Sequence, residues 1–365
     1  MPEEHAELHA ELRAVVRDLL AKTGPDAAPD WRTLARSGWL GLEAPEELDG
    51  AGASFAETAV VLHEFGRAAA RGPYPAVAAL ALGALTLLEP SPGRDGLIEA
   101  TVAGRTVPIL ALDGEAEHVP FRLLRTATGL ALHGAARFVQ EAPAADRLLL
   151  PALDPAGTPV LVDLPARTAG LTGSAIPVLD ETRTFGEISA QGPTVPEDSV
   201  LRFADEAKAV RRLHDRAAVA LACDSLGSAE AMLDATVAYA GTREQFGRRI
   251  GSFQAVKHLC ADMLVKVEVA RHLVGAAVRA EAGEGDPVAA AMAKSHACAA
   301  AVEVAGTAMQ LHGGMGYTWE SGIHVHLKRV TLDRELCGSP AAHRRRLADR
   351  YPALARGEAE TYTSR

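Results

Sequence analysis

The sequence has no excess of basic charge. Its 365 residues carry a formal charge of −10, so nothing in it is suited to releasing counterions from a nucleic-acid backbone, and no nucleic-acid partner is expected. The short basic cluster His343–Arg346 reads as a solvated helix face. Cysteine is sparse. Cys223, Cys260, Cys298 and Cys337 are scattered with no C-x-x-C spacing, which argues against a metal cluster or a disulfide framework and for reduced thiols in a cytoplasmic protein. The start, MPEEHAELHAELR, is acidic and lacks the apolar core of a signal peptide. The run Ala76–Leu88 is too short for a comfortable membrane span and contains glycine, so a buried helix is expected and no membrane partner. A glycine-rich phosphate loop of the G-x-G-x-x-G kind is absent from the central region, which leaves a Rossmann reading with little support.

What is present divides into three zones, and an α+β multidomain fold follows. Residues 1–103 read as an N-terminal helical domain. Leu8, Leu12, Val15, Val16 and Leu19 recur at helical spacing, and Ser54 with Glu57 makes a capping-box pattern ahead of Val60, Val61 and Phe65. Residues 104–198 hold short apolar runs such as Val107–Leu112 and Val160–Leu164, punctuated by Gly, Pro and Asp. This predicts a small β-barrel or sandwich. Residues 199–365 are helical again, with four long segments forming a bundle. Phe253, Val256, Cys260, Met263, Val267, Ala270 and Val274 mark one packing seam, and Asp286-Pro287 is a helix start. The helix it begins stops near Gly313-Gly314, where glycine can turn left-handed.

Two stretches carry chemistry. In Arg243–Gly247 the arginine offers a fixed fork of donors for phosphate, Gln245 an amide, Phe246 an apolar face, and Gly247 room for backbone approach. That set suits a nucleotide pyrophosphate with an aromatic ring beside it, although taken alone it also fits an ordinary helix–loop–helix corner. Gln310–Gly314 taken alone is a helix stop. Read together they are more specific. Tyr239, Arg243, Gln245-Phe246-Gly247, Phe253-Gln254, Ala293-Lys294 and Gln310-x-x-Gly313-Gly314-x-Gly316-Tyr317 resemble the acyl-CoA dehydrogenase family position by position. The resemblance is strong over about residues 200–346, fair over 30–70 and weak between.

The resemblance implies the family's fold of helical, β and four-helix-bundle domains, with FAD as cofactor and an acyl-CoA thioester as substrate. It makes Arg243, Gln245, Phe246, Gln310, Gly313 and Gly314 FAD-binding residues that act on a neighbouring subunit's flavin. The chain's own side of the flavin site departs from the pattern. Asp113 or Glu115 is the only echo of a Thr-Glu-Pro word, and Phe138-Val139-Gln140 stands where Trp-Ile-Thr is usual, leaving Phe138 as an apolar wall. The family's carboxylate base falls on Cys337, whose thiol is mostly neutral at its reference pKa of about 8.5. An alternative base position on an earlier helix falls near Ala217–Ala218. Glu335 and Asp224 are the first substitutes to test, with Asp215 and Asp333 behind them.

The words around His326–Ala348 resemble an actinobacterial branch that includes incomplete subunits of heterotetrameric, steroid-type enzymes. The expected partner is therefore a second, base-bearing dehydrogenase-like subunit, with an electron-transfer flavoprotein as electron acceptor. A self-sufficient homotetramer with a non-standard base, a flavin-dependent monooxygenase of the same fold, and a non-catalytic CoA- or flavin-binding partner stay open at this point.

Overall fold

A computed structural model describes residues 2–24, 27–116, 118–127 and 129–349. The N-terminal helices are α1 (Pro2–Thr23), α2 (Trp31–Arg36), α3 (Phe55–Arg67), α4 (Gly83–Thr86) and α5 (Pro92–Val102). The predicted capping box is formed at α3: Ser54 Oγ accepts from Ala56 N at 3.1 Å while Glu57 accepts from Ser54 N at 2.9 Å. The apolar run from Ala76 is helical and buried, but its first two turns, Pro75–Leu82, are π-helix. Arg216 supplies a physical reason. Its Nε donates to Ala79 O at 2.5 Å, an outside donor of the kind that opens an i→i−4 ladder.

Strands β1 (Pro108–Leu110), β2 (Phe121–Thr126), β3 (Gly129–Gln140), β4 (Arg147–Leu153), β5 (Pro159–Pro165), β6 (Leu171–Ile176), β7 (Phe185–Val195) and β8 (Val200–Arg202) form one mixed sheet. Its order is β6-β7-β3-β2-β4-β5-β8, with β1 parallel to β4. The barrel-or-sandwich expectation thus takes the form of an open path, from β6 at one edge to β8 at the other. Both faces of β4 and β5 are covered, which is why their sequences are apolar runs and do not alternate. Leu149 and Leu161 pack with Leu85, Leu97, Leu213 and Ala217 of the helices. Leu148, Leu150, Val160 and Val162 pack on the other side with Phe121, Leu132 and Ile188.

The C-terminal region holds α6 (Glu206–Thr242), a small hairpin of β9 (Glu244–Gln245) and β10 (Arg248–Arg249), then α7 (Gln254–Glu281), α8 (Pro287–His312), α9 (Ile323–Glu335) and α10 (Pro340–Asp349). Asp286 caps α8 through Val288 N at 2.9 Å. The α7 seam residues Met263, Val267, Ala270 and Val274 are buried against Ala293, Ala297, Ala301 and Val304 of α8. Alanine on α8 lets the helix axes approach closely. By length and composition α8 with its following turn could cross a membrane, but here it is a core helix of the bundle. It ends at Gly313 with φ +59 and ψ −136, a positive-φ exit outside the left-handed helical region, and continues into a 3-10 turn over Gly313–Tyr317.

Candidate functional site

A cleft lies where the central sheet, the N-terminal π segment and the bundle meet. Pro75 and Leu80 come from the π segment; Leu110, Leu112, Gly114, Phe138, Gln140 and Phe185 from the sheet and its loops. Ala217, Leu221 and Asp224 come from α6, and Leu336 and Cys337 from the turn after α9. The cavity between them is about 40 Å³, room for a few waters and for nothing the size of a flavin ring or an acyl chain. Main-chain contact joins two of its walls. Cys337 N donates to Gly114 O at 2.9 Å, tying the α9–α10 turn to the loop after β1. A Cβ at Gly114 would lie 2.9 Å from Phe138 O and 3.1 Å from Leu336 Cδ2, so the loop, β3 and the turn are already in contact there.

The residues standing in for the family's words are occupied locally. Asp113 Oδ1 accepts from Glu115 N at 2.8 Å and Ala116 N at 2.9 Å, and its Oδ2 from Arg137 N at 3.0 Å. Its carboxylate therefore braces the loop. Phe138 sits at a bulge of β3 with φ +50, its ring 6.4 Å from that of Phe185. Burial pushes the Cys337 thiol up to about 11, so it is neutral and a poor nucleophile near pH 7. His343 is close, but its Nε2 donates to Cys337 O at 3.0 Å and leaves the thiol without a base.

Beneath the cleft is a buried charge network. Arg329 holds Asp224 with Nε at 2.8 Å and Nη2 at 2.6 Å, and also donates to Thr182 Oγ1 and Ala70 O. Arg183 bridges Asp180 at 2.8 Å and Asp333 at 2.5 Å. Ser225 Oγ donates to Asp333 Oδ2 at 3.1 Å. Burial favours the neutral form of both Asp224 and Asp333. At Asp224 the Arg329 guanidinium outweighs it and holds the carboxyl below the usual range; at Asp333 burial wins and the carboxyl is raised, so Asp333 keeps the proton of the pair. Asp224 does reach the cleft, but clamped and weakly basic. Glu335, the other weak candidate base, does not line the cleft: its carboxylate is exposed beside Arg334 Nε at 3.4 Å. Asp215, raised by burial to about 6, lines a different cavity with Arg211, His214 and Pro287.

The second group of residues is outward-facing. Arg243 leaves the end of α6, Gln245 pairs with Arg248 in the hairpin, and Phe246 at its tip has φ +54 and is 91% exposed. Gln310, Gly313 and Gly314 are exposed at the end of α8. Tyr239 joins the two stretches by stacking on His312, ring centroids 4.4 Å apart. A guanidinium, two amides, an exposed ring and glycine backbone thus share one end of the bundle. That donor set suits a phosphate-bearing ligand brought by another chain.

The pattern described as the acyl-CoA dehydrogenase C-terminal domain matches residues 208–351, and that of the N-terminal domain matches residues 2–89. Acyl-CoA dehydrogenase IpdE2 of Mycolicibacterium smegmatis is 32% identical over 343 residues, covering 93% of each chain. The chain belongs to the acyl-CoA dehydrogenase family. It is also 35% identical to acyl-CoA dehydrogenase FadE34 of Mycobacterium tuberculosis over 88% of its length, but spans only 42% of that longer protein. Among solved structures, the ChsE4-ChsE5 complex from Mycobacterium tuberculosis superposes with a TM-score of 0.86 at 27% identity, covering 95% of this chain and 97% of that one. A point variant of the Tcur3481-Tcur3483 steroid ACAD gives 0.82 at 28%, covering 97% and 99%.

Membership in this family of FAD-dependent oxidoreductases makes the fit of a flavin a direct question. The donor set at the Arg243 and Gln310 end fits an anionic dinucleotide approached from outside. The cleft does not fit a flavin ring: it is bridged by the Cys337–Gly114 bond and has Gln140 where a small hydroxyl is usual. Sequence reasoning missed Lys294 as a structural anchor, although it noted the residue. Its Nζ, fully buried, donates to Asp333 O at 2.6 Å and to Arg334 O and Gly338 O at 3.2 Å. It also missed Arg183 and Arg329. A lone arginine in a β connector or a helix has no local signature that separates it from a solvated one.

Proposed function

We propose that this chain is the base-less subunit of a heteromeric acyl-CoA dehydrogenase, supporting FAD-dependent α,β-desaturation of an acyl-CoA thioester in a site completed by a second, base-bearing chain. One contrast carries the reading: the donors at the Arg243 and Gln310 end of the bundle are exposed, while the chain's own cleft beside Cys337 has room for only about 40 Å³. The two-protein assemblies among its structural relatives support the same arrangement.

At the shared site the Arg243 guanidinium binds phosphate oxygens as a fork, and the Gln245 and Gln310 amides orient the same group. The Phe246 ring covers an apolar edge and excludes water. Gly313 and Gly314 let main-chain atoms come close. A bound flavin would supply the hydride acceptor for desaturation; no side chain lining this cleft offers an unclamped base, so the α-proton would go to a carboxylate on the partner. An electron-transfer flavoprotein then takes the electrons, in keeping with the family.

The test is flavin stoichiometry. The chain is expressed alone and with a base-bearing dehydrogenase-like subunit encoded beside it. One FAD per heterodimer, and none on the chain alone, is expected. Stoichiometric FAD on the chain purified by itself would sink the proposal in favour of a self-sufficient enzyme.

A further inference from the structure

Away from the cleft and the bundle end, α2 and the turn after α5 enclose a concavity of about 760 Å³ lined by Arg32, Ala35, Arg36, Val102, Ala103, Gly104 and Arg105. The three arginines are exposed, and none makes an ion pair among the described residues. Among the described residues, the one side-chain hydrogen bond of the three runs from Arg36 Nη2 to Thr33 Oγ1 at 3.2 Å. The carboxylate nearest in sequence, Asp30, is engaged with Thr33 N at 2.8 Å and Thr33 Oγ1 at 2.7 Å as the cap of α2. Three guanidiniums line one hollow in a chain of net charge −10; the Asp30 carboxylate acts on Arg32 and Arg36 through space without an ion-pair contact.

Neutral groups at the hollow point the same way. The carbonyls that end α5 are already taken: Glu99 O by Ala103 N, Thr101 O by Gly104 N and Ala100 O by Arg105 N. The indole Nε1 of Trp31 is buried without a partner. It lies 3.8 Å from where a Cβ on Gly104 would be. Gly104 has φ +67, and that Cβ would come within 2.7 Å of Ala35 Cβ, so glycine is required for α5 to end against α2. The charged side chains of the lining are all guanidiniums, whose forks match oxyanion geometry; the Trp31 indole lies beside the hollow and is not part of its lining.

We propose that this concavity binds a multiply charged phosphate oxyanion, either pyrophosphate or the phosphates of a nucleotide, at a site separate from the flavin and thioester machinery. Bound anion relieves the mutual repulsion of Arg32, Arg36 and Arg105 and supplies acceptors to the forks.

The test is titration calorimetry on the full chain, purified with its partner subunit if it requires one. The probes are inorganic pyrophosphate, adenosine 3′,5′-bisphosphate and an oligo-glutamate peptide. Saturable pyrophosphate binding at or below about 1 mM, weakened roughly tenfold or more in Arg36→Ala/Arg105→Ala and by added salt, is the expected result. Tighter binding of the bisphosphate than of pyrophosphate supports a nucleotide source, and equal binding supports a free phosphate. Circular dichroism of the double variant, expected to match wild type, shows that the loss is local. No saturable phosphate binding, equal binding by the variant, or binding of oligo-glutamate alone would overturn the proposal.

Discussion

The two regions to which the proposed function assigns a flavin differ in how open they are. At the bundle end, Arg243, Gln245, Phe246, Gln310, Gly313 and Gly314 sit at the ends of α6 and α8 and on the hairpin between α6 and α7, and face outward. In the cleft the wall positions are filled or bridged, down to a cavity of about 40 Å³. The first set is useful only to something outside this subunit. The second is useful only to a ligand inside it.

The largest expected effect lies under the cleft. Arg329→Ala removes the clamp on Asp224 and leaves a buried carboxylate beside Asp333, which should cost about 3–5 kcal/mol in chemical denaturation. A loss below about 1 kcal/mol would mean the cleft floor is looser than its geometry, and the closed-cleft half of the comparison would weaken. Next is Asp215→Asn. Because burial raises Asp215 to about 6, the folded state binds its proton more tightly than the unfolded state. Stability should therefore fall as pH rises from about 4 through about 6. The variant should be more stable than wild type at pH 7 by about 2–3 kcal/mol, with complex turnover unchanged. A large loss of turnover would instead identify an unrecognised base.

At the bundle end, Arg243→Ala should lower flavin affinity of the assembled complex by roughly tenfold to a hundredfold, the scale of a charge-assisted hydrogen bond. Flavin absorbance after gel filtration reads it. Retention of full flavin would remove this end from the site. The smallest effect is predicted for Cys337→Ala, with turnover of the complex within about twofold of wild type. A drop of about a hundredfold or more, typical of an acid–base group, would reopen the cleft as a working site.

Much of this was legible in the sequence because it is local. The Ser54–Glu57 box, the Asp286-Pro287 start of α8 and the three-and-four seam of α7 are set by neighbours a turn or two away. The motif words at Arg243 and Gln310 were legible for the same reason. What was not legible depends on groups far apart in the chain. The Arg183–Asp333 and Arg329–Asp224 pairs are separated by more than a hundred residues, and the Gly114–Cys337 bond uses only main-chain atoms. Glu335 and Asp224 looked equivalent as acids; only the fold sends one to the surface and the other under a guanidinium. The open mixed path of the sheet depends on β1 and β2 both lying parallel to β4, a pairing that runs of apolar residues do not encode.

The anchoring of Leu336-Cys337-Gly338 by Lys294 has one more consequence. The lysine grips carbonyls on either side of residue 337, His343 takes the carbonyl of 337 itself, and its amide goes to Gly114. Every one of those attachments is to the peptide, so the identity of the side chain hardly enters. A position held in that way is a socket that unbranched side chains can share, its φ of +52 disfavouring β-branched ones. A lineage could exchange the residue there, and with it the chemistry, without having to refold the turn that carries it.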